Sequence, residues 1–408
     1  MPARRTFAAL LAGLAIGMVL SGAALEGPVL AVARPVGVLW LRALQMTIVP
    51  LVIALLFTGV VQTVAAAHAG PMARRTIGLF AAILAGGALL AAFAVPLLLR
   101  LAPIPPGAMT TLAGQDGQAS AKLPGFADFV LALVPENVVD AAAQGAMVPL
   151  ILFTTLFALA STRLAEAPRR QLALLFEGVA GAMMIVIGWV LALAPVGVFA
   201  LALGLAADSG ASAIGALTHY ILTVSATGIV ILIAGYGVAI LGGRLRPGTF
   251  ARAVLPAQTV ALSTQSSLAS LPAMLAACRK LGIGQTSADF VLPLAVALFR
   301  ATSPAMNLAV AIYAAHLAGV PLTPAALMTG VAVSLLTTLG SVSLPGTVSF
   351  VASTGPIALA MGVPIAPLAL LVAVEMIPDI VRTVGNVTMD VAVTSVADRR
   401  AMGTINRP

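Results

Sequence analysis

Polar side chains form a stripe along an otherwise apolar segment near the C-terminus. The stripe consists of Glu375, Asp379, Arg382, Thr383, Asn386 and Asp390. At about 100° of rotation per residue, an α-helix places all of them on one face that is roughly 100° wide. A charged residue in the middle of a membrane helix costs at least about 2.5 kcal/mol, so these groups require a partner, a ligand or water. The stripe therefore predicts a face that binds a polar solute.

The charges of Asp379 and Arg382 indicate the chemistry of that solute. The planar guanidinium of Arg382 can hold a carboxylate through two hydrogen bonds, and Asp379 can pair with an ammonium group. Together they suit an acidic amino acid. The alternative is an ion pair, one helical turn apart, that only neutralises itself. That alternative leaves Thr383, Asn386 and Asp390 on the same face unexplained.

The composition places this stripe in a membrane protein. The 408 residues are 61% hydrophobic and only 8% charged, which is too few charges to cover a water-soluble protein of this size. The net charge is +8, and the Lys and Arg residues are scattered between apolar segments, which argues against a nucleic-acid partner. Their distribution fits the positive-inside rule if the N- and C-termini both lie in the cytoplasm. The membrane would then be the inner membrane of the cell. A single cysteine, Cys278, offers neither an internal disulfide nor a metal cluster.

The apolar segments are long enough to cross a lipid bilayer. We predict membrane helices near residues 7–25, 43–66, 77–101, 143–162, 172–203 and 217–242. From residue 250 onward, Ser, Thr, Pro, Gly and charged residues interrupt the apolar sequence. Function is therefore expected in the C-terminal part.

Two polar segments in that part predict re-entrant hairpins. They are Ser263–Pro272 and Ser343–Thr347, and each precedes an apolar helix with a charged residue, around 287–318 and 367–395. Irregular backbone at membrane depth is tolerated only where it is buried in protein or lines a cavity. The repeated arrangement is typical of inverted-repeat transporters. Ordinary Ser-rich helix packing is the alternative.

Several motifs resemble one known family along nearly the whole chain. They are Met46–Val52 (MTIVPLV), Leu193–Ala200 (LAPVGVFA), the first hairpin ending in Ser270-Leu271-Pro272, Val291–Leu294 (VLPL) and the polar stripe. The chain resembles the dicarboxylate/amino acid:cation symporter family, which contains the glutamate and aspartate transporters.

The resemblance implies an all-α integral membrane fold of the elevator type. It would have eight transmembrane helices, two re-entrant helical hairpins, inverted repeats and a homotrimeric assembly. The implied organisation is scaffold helices 1–2 in residues 1–76, a third helix and external loop in 77–127, helices 4–6 in 128–245, a transport core in 246–395 and a cytoplasmic tail in 396–408.

The resemblance also implies a role for each site residue. Asp379 would hold a substrate amino group and Arg382 a side-chain carboxylate, with Thr383 and Asn386 beside them. Asp390 and Asn386 match sodium ligands of the family. Four further matches lie at the hairpin tips: Ser266 and Ser267 in the first, Pro345 and Gly346 in the second, which would form the extracellular gate.

One motif departs from the family. Where members carry Asn-Met-Asp-Gly-Thr at a break in the seventh helix, this chain has Phe299-Arg300-Ala301-Thr302-Ser303. Sodium requires oxygen ligands, so half of the cation site should be lost. We hypothesise that Arg300 lies near Asp390 and replaces a bound cation, so that transport is sodium-independent or is proton-coupled through Glu375 or Asp390. There are three alternatives. The family motif could align with this sequence in a different register, Arg300 could extend to the membrane interface, or Arg300 could bind a substrate carboxylate.

The sequence thus predicts a secondary active transporter, a symporter or exchanger, for an acidic amino acid or a dicarboxylate. Sodium coupling would be reduced or absent, with Na⁺ or H⁺ as the coupling ion, Asp390 as the residual contact for Na⁺, and no other cofactor. One alternative is an anion-conducting channel, because a polar stripe together with two arginines could line a pore. The other is a carrier for a dicarboxylate without an amino group. An enzyme is not expected, since no nucleophile–base pair or metal cluster is found.

Overall fold

A computed structural model describes residues 2–68, 70–105, 134–209, 212–340 and 346–405, and every regular element in these ranges is a helix. The helices are α1 (Pro2–Leu20), α2 (Glu26–Ala67), α3 (Pro71–Leu101), α4 (Val138–Ala143), α5 (Met147–Ser161), α6 (Glu166–Ala192), α7 (Ala194–Ser209), α8 (Ser212–Gly237), α9 (Pro247–Thr264), α10 (Leu271–Lys280), α11 (Gln285–Leu298), α12 (Ser303–Leu317), α13 (Pro324–Gly340), α14 (Gly346–Ala360), α15 (Ala366–Leu371) and α16 (Met376–Ile405). A π-helical turn, Val238–Gly242, extends α8.

Within the described ranges, five helical segments are long and apolar enough to span a bilayer. They are α2, α3, α6, α8 with its π-helical turn, and the α11–α12 pair. Shorter apolar helices include α1, α5, α7 and α13. The repeated spans make this a multi-pass membrane protein.

Several helix bounds differ from the sequence prediction. Helix α2 begins at Glu26 rather than near residue 43, and the predicted helix 287–318 is divided into α11 and α12. The predicted span 172–203 is two helices, because α6 ends at Ala192 and α7 begins at Ala194. Pro195 lies in the first turn of α7, where its missing N–H breaks no helical hydrogen bond. Helix α3 begins at Pro71 rather than residue 77, and α16 continues to Ile405, through most of the segment predicted as a tail.

Small residues let helices α1, α2 and α7 pack closely. A Cβ on Gly13 would lie 2.6 Å from the Phe199 carbonyl oxygen, and Gly17 faces the Leu203 carbonyl in the same way. The ring of Trp40 in α2 covers Gly197, and its Nε1 donates to the Val190 carbonyl oxygen at 2.9 Å. Glycine at such positions allows backbones to approach within a membrane, where close packing drives helix association.

Two helical hairpins and one broken helix surround α16. Helices α9 and α10 pack against each other, as do α13 and α14. Helix α9 ends at Thr264, and the next residue, Gln265, is in the left-handed conformation with φ of 51°. The tip of the second hairpin, residues 341–345, lies outside the described residues. Helix α16 contacts α8, α9 and α11, so the polar stripe lies within protein rather than against lipid.

The break between α11 and α12 faces α16. Residues 299–302 are not helical, and the helix resumes at Ser303. Phe299 stacks on Phe80 of α3 with ring centroids 4.2 Å apart, which anchors the start of the break. Gly385 of α16 lies against Thr302, because a Cβ on Gly385 would be 2.6 Å from the Thr302 Cγ2. A larger residue at 385 would therefore push the broken segment away.

Candidate functional site

The guanidinium of Arg382 is buried and has a polar partner on each side. Its Nη2 donates to Glu375 Oε1 at 2.6 Å, and its Nη1 donates to Asn307 Oδ1 at 2.6 Å. Its Nε lies 3.5 Å from Asp379 Oδ1. Only 5% of Arg382 is exposed. A buried charge of this kind is stable only when it is compensated, and here the carboxylates of Asp379 in α16 and of Glu375, in the turn just before α16, compensate it.

The second oxygen of Glu375 is held by another helix. Tyr220 of α8 donates its hydroxyl hydrogen to Glu375 Oε2 at 2.6 Å. Tyr220 is itself fully buried, and its ring meets that of Tyr313 edge to face, with centroids 5.3 Å apart. The Tyr313 hydroxyl donates to the Ala216 carbonyl oxygen at 2.8 Å, which fixes Tyr313 in turn. Glu375 is therefore positioned from two directions, by Arg382 and by Tyr220.

Asn386 ties the broken segment to α16. Its Oδ1 accepts hydrogen bonds from the Thr302 backbone N–H and from the Thr302 hydroxyl, both at 2.9 Å. Thr383, predicted to lie beside the substrate, donates its hydroxyl to the Asp379 carbonyl of its own helix at 2.9 Å. Asn386 thus has a structural partner that its assignment as a sodium ligand did not include.

Asp390 is fully enclosed, and neither carboxylate oxygen has a hydrogen-bond partner among the described residues. An isolated buried carboxylate is costly, so this position requires a cation or a proton. The side chains of Phe299 and Ala301, at the two positions where the family motif has Asn and Asp, carry no oxygen. Asn386 Oδ1 already accepts two hydrogen bonds from Thr302. In the described part of the chain, no cluster of three or more His, Cys, Asp or Glu residues could hold a metal ion.

Arg300 lies elsewhere than we hypothesised. It is buried, with 9% exposure, so it does not snorkel to the membrane surface. Its side chain interacts electrostatically with Asp379 and Arg382. It makes no hydrogen bond to Asp390, whose oxygens are unpartnered. The break in the helix directs Arg300 towards the first turns of α16, and Asp390 is about three turns further along that helix.

The structure describes the tip of the first hairpin but only part of the predicted second tip, Ser343–Thr347. Ser266 and Ser267 are half-buried at the tip, where Ser266 Oγ accepts from the Ala269 N–H at 3.2 Å. No described hydrogen bond joins either serine to the polar stripe. Gly346 is the first residue of α14, whereas Pro345 lies outside the described residues.

Two residues of the site, Tyr220 and Asn307, were not predicted from the sequence. Both are polar residues within apolar helices, and a membrane protein keeps such residues only when they have a partner. Their polar character in these helices was the sequence signal that could have identified them. Neither lies near the stripe in sequence, since Tyr220 is 155 residues and Asn307 is 75 residues from its partner.

The chain is similar in sequence to known proteins over most of its length. Residues 3–400 match the model of the sodium:dicarboxylate symporter family. The chain is 29% identical over 399 residues to a proton/sodium-glutamate symport protein of Bacillus subtilis, covering 95% of this chain and 89% of the relative. It is 28% identical over 365 residues to a proton/glutamate-aspartate symporter of Escherichia coli, covering 86% and 82%. A C4-dicarboxylate transport protein of Anaeromyxobacter is 26% identical over 378 residues, covering 92% and 85%. These matches confirm the resemblance inferred from the motifs.

Proposed function

The chain belongs to the sodium:dicarboxylate symporter family, and on that premise we propose that it is a secondary active transporter, not an enzyme, for a small dicarboxylate or acidic amino acid. Relatives that resemble it over most of their length are named as transporters of glutamate, aspartate or C4-dicarboxylates. The substrate would bind between the two hairpin tips and the polar face of α16.

The observation that carries this proposal is the buried guanidinium of Arg382. A carboxylate oxygen, that of Glu375, already lies 2.6 Å from its Nη2. The position is therefore suited to a carboxylate, and a substrate carboxylate that displaced Glu375 would meet the same donor. Arginine can hold such a group through two hydrogen bonds, which fixes the orientation of the substrate as well as its position.

Sodium coupling would be reduced or absent. The family's Asn and Asp ligands at the helix break are replaced here by Phe299 and Ala301, and both oxygens of the remaining carboxylate, Asp390, have no hydrogen-bond partner among the described residues. A hard cation is bound by several oxygens, so one carboxylate is a weak sodium site. A proton carried by Glu375 or Asp390 is the alternative coupling ion.

A dicarboxylate without an amino group is the preferred substrate class. Asp379, which would bind the substrate ammonium in an amino acid carrier, already interacts with the guanidinium of Arg300. Its charge is thus partly compensated before substrate binds. Two guanidinium groups near one site, Arg300 and Arg382, instead suit a solute with two carboxylates.

The elevator architecture would complete the mechanism. We place the protein in the inner membrane as a homotrimer with cytoplasmic N- and C-termini, with Pro345 and Gly346 at the outer gate. Eight membrane helices and the two hairpins would allow the α9–α16 core to carry the bound solute across the bilayer.

Transport by purified protein in liposomes tests the proposal. We expect saturable uptake of labelled succinate and counterflow against internal unlabelled succinate, with less than a twofold change when external sodium is replaced by potassium. Flux that neither saturates nor shows counterflow would indicate a channel. A strong dependence on an inward sodium gradient would contradict the loss of sodium coupling.

A further inference from the structure

Five exposed cations lie at the base of the first hairpin, where α9 begins and α10 ends. Helices α9 and α10 pack against each other, and Phe250 near the start of α9 belongs to the same buried cluster as Cys278 near the end of α10. The two helix ends away from the hairpin tip are therefore adjacent. This hairpin base consists of exposed residues Arg244, Arg246, Arg252, Arg279 and Lys280.

The charge of the hairpin base has one sign. Residues 209–288 contain no Asp or Glu, and none of the five cations forms a salt bridge with a carboxylate among the described residues. Asp398 of α16 lies at the same end of the core, but it is buried and faces the start of α11, where a Cβ on Gly284 would lie 2.8 Å from its Oδ1. A surface with charge of one sign attracts anions.

The backbone before α9 is strained at Arg244. Its φ is 54°, in the left-handed region that glycine adopts more easily than arginine. Gly243 beside it serves a different purpose, because a Cβ there would overlap Ser395 Oγ of α16. A π-helical turn precedes both residues, and Arg399 holds it by donating to the Gly242 carbonyl oxygen at 3.1 Å. Strained backbone and π-helical turns are concentrated at functional sites, so an arginine at this position indicates that its charge has a use.

Exposed leucines border these cations. Leu241, three residues before Arg244, is 82% exposed, and Leu255, three residues after Arg252, is 59% exposed. Arg252, Leu255 and the exposed Leu262 lie within about 80° of one another around α9. A ligand that covers both features has an anionic head and an apolar chain, which is the chemistry of an anionic phospholipid.

We propose that the hairpin base binds the phosphate groups of anionic phospholipids in the cytoplasmic leaflet, with acyl chains along the exposed leucines of α9. The choice of leaflet rests on the orientation in the proposed function, whereas the lipid site rests on the cations and leucines themselves. The first hairpin belongs to the proposed transport core, so bound headgroups would hold this end of the core at the membrane surface. Each cation adds to the attraction, and salt weakens it.

Thermal unfolding of the full-length protein in detergent, titrated with phosphatidylglycerol or phosphatidylcholine, tests the proposal. For wild type we expect phosphatidylglycerol to raise the apparent melting temperature by several degrees, less at high salt, and phosphatidylcholine to leave it unchanged. In Arg244→Asn/Arg246→Gln/Arg252→Gln, the concentration of phosphatidylglycerol for half-maximal stabilisation should rise at least about tenfold. Asparagine at 244 tolerates the left-handed backbone. Arg246→Gln/Arg252→Gln, which leaves the strained residue untouched, should show a smaller rise.

Arg163→Gln/Arg169→Gln/Arg170→Gln is the matched control, because it also removes three exposed arginines but lies outside the hairpin base. Its half-maximal concentration should equal that of wild type. Equal values in wild type and both triple variants would overturn the proposal, as would equal stabilisation by phosphatidylcholine. Stabilisation of wild type by inorganic phosphate at the same concentration would show a site for free anions and overturn the lipid assignment. A protein stabilised by phosphatidylglycerol but not by succinate or aspartate would contradict the proposed function and leave this site intact.

Discussion

At the scale of single residues, the site is a set of buried charges that compensate each other in the absence of substrate. Arg382 is held by Glu375 and Asp379. The Asp379 pair is the ion pair that the sequence left as the alternative, since residues three positions apart share a helix face, whereas the pair with Glu375 was not predicted. Their partners on other helices, Tyr220 and Asn307, could not be predicted, since helix periodicity says nothing about which face of α8 or α12 meets the stripe. The position of Arg300 was wrongly predicted for the same reason.

Substitution of Arg300 tests what selects the substrate. In Arg300→Gln, Asp379 loses a neighbouring positive charge and becomes available to a substrate ammonium group. We expect the affinity for aspartate relative to that for succinate to rise at least about tenfold, which corresponds to about 1.4 kcal/mol. Competition of both compounds against labelled succinate measures the ratio. An unchanged ratio would show that Arg300 does not influence Asp379.

At the scale of helices, the break between α11 and α12 is what brings Arg300 and Thr302 to α16. The sequence reading predicted a single helix over 287–318, although the family's break motif falls on 299–303, and residues 299–302 are non-helical. It did not predict the anchors of the break, which are the Phe80–Phe299 stack and the hydrogen bonds from Thr302 to Asn386. Both arise from packing between helices that are distant in sequence.

Gly385→Ala should disturb this arrangement without adding a polar group. The new Cβ would lie 2.6 Å from Thr302 Cγ2, so the broken segment or α16 must shift. We expect a lower apparent melting temperature in detergent, by several degrees, and weaker succinate binding. Gly86→Ala in α3 is the control, because nothing lies within 4 Å of its added Cβ. If both variants behave alike, close contact between α16 and the break is not needed.

At the scale of the whole molecule, the described residues form a helical membrane protein in which most of the buried charged groups of the site lie on or just before α16. Composition alone predicted the membrane, since 61% hydrophobic residues cannot form a soluble surface. The two helical hairpins were predicted from their polar tips, and α9–α10 and α13–α14 do pack as pairs. Helix ends were less predictable, as the separate helices α6 and α7 show, because a proline can begin a helix as well as interrupt one.

Uptake by an Arg382→Lys variant in liposomes tests the central claim most directly. Lysine keeps the positive charge that Glu375 and Asp379 require but lacks the planar fork for a carboxylate. Arg279→Lys is the control, because Arg279 is exposed at the end of α10. We predict that saturable succinate uptake falls at least about a hundredfold in Arg382→Lys, equivalent to about 2.7 kcal/mol, and is unchanged in Arg279→Lys. Uptake by Arg382→Lys within twofold of wild type would contradict the claim that Arg382 binds the transported carboxylate.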